Sequence, residues 1–258
     1  ETSKQRLRIL VEQYIRERDQ YVRSASTYNE TQLRADFLDP LLEILGWDVK
    51  NVRGVPQYRR EVILEDTVEI EDDEVELTRK KPDYALRLDT ERKLFVEAKK
   101  PRVRIEQDRQ AAFQVRRYGW NARLPISVLS NFDKLIIYDC NPRPDHTDDP
   151  SVGRLKVYDH TEYVAAFDEL HKQISREAVY SGRFDILFPM ETERVGTEAF
   201  DHYFLQQIEG WRIALSRSLA VRNPRLSEAE LNFLVQRLIN RIIFLRICED
   251  RELERYKT

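Results

Sequence analysis

The chain is poor in several features that would narrow its function at once. Two cysteines in 258 residues, Cys140 and Cys248, exclude a disulfide framework or a Cys-ligated zinc site. Each sits in an apolar stretch, as buried free thiols in a reducing compartment do. Seven glycines leave little scope for a phosphate-cradling loop. No Walker A pattern, N-P-P-[YF] motif or glycine-rich cofactor loop occurs. No apolar run approaches the ~20 residues that cross a bilayer. Glu1 is not followed by a basic-then-apolar leader, which predicts a processed or shortened chain with no export signal. A basic excess is missing as well: 43 Lys+Arg face 46 Asp+Glu, a formal charge of -3. An evenly spread balance of this kind would argue against a nucleic-acid partner. With 34 % charged and 41 % hydrophobic residues, the composition is that of a soluble globular chain with a real core, in one large domain or two small ones.

The charge is not evenly spread. Glu61 to Glu76 carries nine acidic residues and no basic one, whereas Arg79 to Arg123 carries 14 Lys/Arg against six Asp/Glu. The basic segment is either a solvated face or a surface that attracts a polyanion.

Residues 1 to about 25 place Leu7, Leu10, Val11, Tyr14 and Ile15 at helical spacing, which predicts an amphipathic helix. A second helix is predicted from a capping box at Thr27 and Glu30, through Leu33, Phe37, Leu41 and Leu45, to a stop at Gly46. Pro40 should kink or split it. Strands are predicted at 58–64, 83–88, 93–98, 125–129 and 134–138, with a helix over 105–122 between the third and fourth. Asn141 to Gly153 is a Pro/Asp-rich loop, 155–158 reads as an edge strand, and 162–172 as a helix. Beyond Pro189 two long helices are predicted, 197–219 and 227–254. The second has a capping box at Ser227 and Glu230 and a stripe of Leu231, Leu234, Leu238, Ile242 and Leu245. The expected architecture is α/β, a mixed sheet flanked by helices, followed by an all-helical segment, with a boundary near residue 190.

The chemistry concentrates in Lys80 to Pro101, KKPDYALRLDTERKLFVEAKKP. A turn near Asp89 and Thr90 would form a hairpin that sets Asp83 beside Glu97. Residues two apart on a strand share a face, so Glu97 and Lys99 point one way and Ala98 the other. Two carboxylates beside one ammonium are costly unless a cation neutralises them, and such oxygen donors suit Mg²⁺ or Mn²⁺. The plainer reading is a surface hairpin of alternating charge.

Pro82-Asp83 followed by Glu97-Ala98-Lys99 resembles the P-D…E-x-K motif of the restriction-endonuclease-like nuclease superfamily. Gln114 and Tyr118 match the Q-x-x-x-Y helix motif of the branch that contains recombination exonucleases and type I restriction motor subunits. Asn29 to Asp48 is similar to that branch's N-terminal helix with its Leu-Gly-Trp ending. Leu234 to Leu253 resembles the helical connector that precedes the methyltransferase in type IIG and IIL restriction-modification enzymes. The resemblance implies an endonuclease domain over 1–190 and a connector over 191–258 leading to a methyltransferase or motor domain outside this chain. Asp83 and Glu97 would bind Mg²⁺, replaceable by Mn²⁺, with the Ala98 carbonyl as third ligand, and Lys99 would act on the attacking water. Glu30 is either a further acid directed at the metal or the capping residue. Gln114 and Tyr118 either serve the site or simply pack their helix. Lys80, Lys81, Lys100, Arg102, Arg104, Arg116, Arg117 and Arg123 would hold the backbone of double-stranded DNA without reading bases. S-adenosylmethionine would enter only through a domain absent here, as would target recognition. A prokaryotic cytoplasmic setting, no membrane partner and transient dimerisation for double-strand cutting complete the expectation. The alternatives are the nuclease of a type I ATP-dependent subunit and a catalytically inactive DNA-binding or assembly module. The acidic run 65–76 reads as an excursion away from DNA, and the four histidines, His146, His160, His171 and His202, as surface or half-buried residues.

Overall fold

The computed structural model describes residues 2–23, 27–70, 78–88, 90–190 and 197–250, the side chains of 69, 70, 78, 79, 197–207 and 246–250 excepted. The chain divides into two compact units, Glu1–Glu191 and Thr192–Thr258.

The first unit is a mixed six-stranded sheet in the order β1-β4-β5-β6-β7-β8. Its strands are β1 (Val62–Leu64), β4 (Tyr84–Leu88), β5 (Glu91–Ala98), β6 (Ile126–Ser130), β7 (Lys134–Asp139) and β8 (Arg154–Asp159). A separate ribbon pairs β2 (Val68–Ile70) with β3 (Thr78–Lys80). Neighbours in the sheet run antiparallel except β5 and β6, which are parallel and joined through helix α4 (Arg109–Asn121). A parallel pair needs such a crossover, and a strand held between two neighbours and covered on both faces is apolar throughout; every residue of β6 is buried.

Strand alternation sorts the core into two layers. Leu94, Val96 and Ala98 of β5 join the larger one, with Leu7, Leu10, Val11 and Tyr14 of helix α1 (Ser3–Val22) and Leu41 and Leu42 of the next helix. Phe95 faces the opposite way, towards Tyr118 of α4 and Val68 of β2. Ile15, expected on the buried stripe of α1, is 50 % exposed because Tyr14 takes the inward position.

The second helical stretch departs from expectation at both ends of its first turns. Its cap is Asn29, whose side chain accepts from the Gln32 N–H while Gln32 accepts from the Asn29 N–H, so Thr27 and Glu30 do not form the capping box. Pro40 does not end the helix. Helix α2 (Glu30–Leu33) continues through a π-helical turn, Arg34–Leu38, into α3 (Asp39–Ile44). Pro40 has no N–H to donate four residues back, and the ladder widens just before it, with the Asp39 N–H bonding the Arg34 carbonyl. Gly46, at φ 94°, supplies the left-handed residue after the helix, and Trp47 is buried, with its indole N–H donating to the Ile174 carbonyl at 3.0 Å.

The 105–122 helix begins at Arg109 behind an Asp108 cap; the helix expected over 162–172 starts later, as α5 (Phe167–Ile174), and two short helices that the sequence did not announce follow it, α6 (Arg176–Tyr180) and α7 (Arg183–Leu187). In the second unit, α8 (Thr197–Arg222) and α9 (Glu228–Asp250) pair, and the Ser227/Glu230 capping box forms as expected. The buried line of α9 runs through Val235 and Ile239, one position from the expected stripe, whose Leu234, Leu238, Ile242 and Leu245 are exposed. Among the described residues, no helix is long and apolar enough to cross a membrane.

Candidate active site

The β4–β5 register pairs Tyr84 with Val96, which brings Asp83, the residue before β4, alongside Glu97. Their proximity is covalently programmed by the hairpin and then locked by a hydrogen bond. The Asp83 Oδ2 accepts the Ala98 N–H at 2.8 Å. Asp89, expected in the turn, lies outside the described residues.

Glu97 and Lys99 share the β5 face covered by α4, and Ala98 turns into the opposite core layer. The Lys99 ammonium donates to Glu97 Oε1 at 2.8 Å and lies 3.3 Å from Gln114 Oε1. Gln114 Nε2 donates to the same Glu97 oxygen at 2.7 Å and to the Tyr118 hydroxyl at 2.8 Å. Gln114 and Tyr118, four apart on α4, thus converge on Glu97 and Lys99.

Electrostatics make Glu97 unusual. Burial pushes its carboxyl up to about 7, against the opposing pull of Lys99 and with help from the Asp83 charge. Its Oε2 is buried and meets no hydrogen-bond donor at good geometry, and the Asp83 main chain exerts only a weak downward pull on the carboxyl. Lys99 moves upward too: burial works against its charge, but the Glu97, Glu30 and Asp83 carboxylates outweigh it. An ammonium held this firmly is a fixed positive charge and a donor, not a proton acceptor.

An unpartnered buried carboxylate oxygen is a costly feature that a cation would satisfy. Oxygen donors from Asp83 and Glu97 match a hard divalent ion, which keeps several waters of its own. The residues therefore fit a divalent metal. Among the described residues no three His, Cys, Asp or Glu side chains gather as a ligand cluster. Glu30 accordingly stands outside the Asp83–Glu97 pair. Freed from capping, it acts on the site through its charge on Lys99.

The basic residues separate into two kinds. Lys80, Lys81, Arg102, Arg104 and Arg123 are exposed, and Lys100 and Arg117 partly so, with Arg117 5.5 Å from the Phe113 ring. Arg116 does not belong with them. It is 1 % exposed and bonds Asp148 at 2.6 Å, tying α4 to the 141–153 loop, so it cannot reach a phosphate. The acidic run does not simply leave the fold: its Val68 is buried against Tyr118, beside the site, while 71–77 lie outside the described residues. His146 and His171 are solvent-facing to different degrees, and the His202 side chain lies outside the described residues. His160 is buried, its Nδ1 3.1 Å from the Asp133 carbonyl, where it ties β8 to the β6–β7 turn. Cys140 is buried, with its Sγ 3.7 Å from the Tyr138 carbonyl oxygen, and the Cys248 side chain lies outside the described residues.

The residue that sequence reasoning passed over is Arg34. Its Nη1 donates to Asp83 Oδ1 at 2.9 Å, and its guanidinium lies 4.8 Å from the centre of the Tyr84 ring. One signal was available: Arg34 is four residues after Glu30 on one helix, so both project from one side.

Residues 27–146 match the family described as "Type I restriction enzyme R protein N terminus". The match spans α2, the sheet up to β7 and all of α4. The chain is also similar to the type II restriction enzyme and methyltransferase RM.Eco57I of Escherichia coli, 47 % identical over 255 residues. That alignment takes in 99 % of this chain, which spans about a quarter of the relative's length, 25 %. No solved structure matches the chain. Residues 27–146 are thus similar to the type I R protein N terminus, within a chain that is similar along nearly all of its length to part of a type II restriction enzyme and methyltransferase.

Proposed function

We propose that the first unit is a divalent-metal-dependent DNA endonuclease, the cleavage domain of a type II restriction-modification enzyme. The observation that carries this reading is Glu97: buried, raised to about 7, bonded to Lys99 and Gln114 through one oxygen, and unpartnered on the other. Asp83 and Glu97 would hold Mg²⁺ or Mn²⁺. The Ala98 carbonyl is a candidate third donor, because the two polar groups of one strand residue face the same edge and its N–H already faces Asp83. A bound ion would polarise the scissile phosphate and acidify water.

The chain's own groups supply the rest. The Lys99 ammonium orients the attacking water and opposes the negative charge that builds on the phosphorus oxygens as the leaving sugar oxygen departs. Gln114 fixes Glu97 and Lys99 relative to one another, and Tyr118 fixes Gln114. The exposed Lys80, Lys81, Arg102, Arg104 and Arg123 and the partly exposed Lys100 and Arg117 would contact DNA phosphates, which position the duplex without specifying sequence. Base recognition and methylation would belong to segments outside this chain, and the setting would be the prokaryotic cytoplasm. The length of the similarity to a fused enzyme favours this arrangement over an ATP-driven subunit.

Cleavage of plasmid DNA with Mg²⁺ or Mn²⁺ tests the assignment, both for this chain and for a longer protein that carries a recognition region. Asp83→Ala and Lys99→Ala should each abolish nicking that the parent performs. Equal nicking by all three would place the chemistry elsewhere. Binding without cutting by the longer parent protein would favour an inactive module.

A further inference from the structure

Asp83 is gripped from two sides. The end of β5 holds one oxygen through the Ala98 N–H, and Arg34 holds the other while its second nitrogen lies 3.4 Å from Asp83's own carbonyl oxygen. The arginine is 15 % exposed and the aspartate 20 %, so the pair is largely withdrawn from water. Tyr84 flanks the guanidinium and is itself pinned by its hydroxyl, which donates to Asp39 Oδ1 at 2.6 Å. Glu65 stands 3.9 Å from the same guanidinium nitrogen on the exposed side.

The helix geometry that delivers Arg34 is specific. Arg34 opens the π-helical turn, and its carbonyl accepts the widened hydrogen bond from Asp39, immediately before Pro40. Asp39 therefore bonds Arg34 through its main chain and Tyr84 through its side chain. The turn, the arginine and the strand that follows Asp83 form one connected unit.

We infer that Arg34 is a positioning residue for metal binding: it fixes the Asp83 carboxylate so that its free lone pairs face Glu97, and the π turn sets its reach. The inference rests on the nuclease reading above. A planar guanidinium can hold side-chain oxygen and main-chain oxygen together while lying against Tyr84, and a lysine ammonium cannot. Groups that orient a ligand from behind typically change metal affinity 10- to 100-fold when removed, which sets the expected scale at roughly that range.

Mn²⁺ binding, followed by calorimetry or by the electron paramagnetic resonance signal of free Mn²⁺, reads this without reference to cleavage. Arg34→Met should raise the Mn²⁺ dissociation constant by about 10- to 100-fold. Arg34→Lys, which keeps the charge, should lie nearer to Arg34→Met than to the parent, and the metal concentration for half-maximal cleavage should move in parallel. A purely structural role would lower thermal stability and leave the dissociation constant of the folded fraction unchanged. Wild-type or tighter Mn²⁺ binding by Arg34→Met overturns the inference, as does wild-type binding by Arg34→Lys, which would assign the effect to charge alone. Asp83→Ala separates this from failure of the nuclease reading. If Asp83→Ala loses Mn²⁺ and Arg34→Met does not, only the role of Arg34 is wrong. If Asp83→Ala binds like the parent, the metal site itself is wrong and the inference goes with it.

Discussion

Glu61 and Glu97 are buried to nearly the same degree, 6 % and 4 % exposed, yet their carboxyls are driven in opposite directions. Burial would raise Glu61, but Arg176, Tyr180 and Arg53 all donate to it and hold it below the ordinary carboxylate range. Burial does raise Glu97, because Lys99 and Gln114 share one oxygen and leave the other alone. Surface exposure is nearly equal, but protein packs more densely around Glu97, and its partnering is less complete. A fully satisfied buried acid ties elements together, here the Arg53 loop, β1 and α6. A half-satisfied one reserves coordination for something that arrives later.

The largest expected effect separates the two by activity. Glu97→Gln keeps shape and removes charge, and should lower metal-dependent cleavage by roughly 10³-fold, on the order of 4 kcal/mol in the barrier, while the folded state is no less stable. A variant that cuts normally would break the contrast. Glu61→Gln should do the reverse in an unfolding titration, costing about 3 kcal/mol because Arg176 and Arg53 lose their shared anion, with cleavage by the folded fraction preserved.

Gly119 probes the packing that completes Glu97. A Cβ there would lie 2.4 Å from Cys140 Sγ and 2.6 Å from Ser127 Oγ, so Gly119→Ala must lift α4 from the sheet. About 1–3 kcal/mol should be lost. Because Gln114 rides on the same helix, cleavage should fall as well, whereas the Glu61 cluster should be untouched.

The remaining effects are in pH dependence and carry opposite signs. A carboxyl whose folded pKa is raised stays protonated in the native state while the unfolded chain ionises. Stability relative to Glu97→Gln should therefore decline as pH rises from the ordinary glutamate range to about 7, and level off above it. Mn²⁺ should cancel the decline. Glu61 is lowered, so its contribution is present above the ordinary glutamate range and disappears as pH falls through its folded value. Thermal melts of the two Gln variants from about pH 2.5 to 8, with and without Mn²⁺, check both signs.

Local rules made much of the site legible in the sequence. Period-2 alternation put Glu97 and Lys99 on one face, and four-residue spacing put Gln114 and Tyr118 together on α4. Local rules also misfired where two candidates competed within a residue or two. Asn29 with Gln32 displaced Thr27 with Glu30 as the cap, and Val235 and Ile239 took the buried line expected of Leu234 and Leu238. Both choices turn on small differences in side-chain direction that packing decides. Arg116 failed differently: in sequence it is one of many cations, and only the return of the 141–153 loop to α4 gives it Asp148 and removes it from the surface.

The sequence by itself determined the hairpin that brings Asp83 to Glu97, because a short connection and the strand period leave few other registers. It also determined the concentration of positive charge around that hairpin. Only the tertiary structure decided the state of the groups there: that Arg34, 49 residues away, closes on Asp83, and that Glu97 is buried deeply enough to rise to about 7. Charge state depends on desolvation and on partners brought from distant segments, and neither is a local property of the chain.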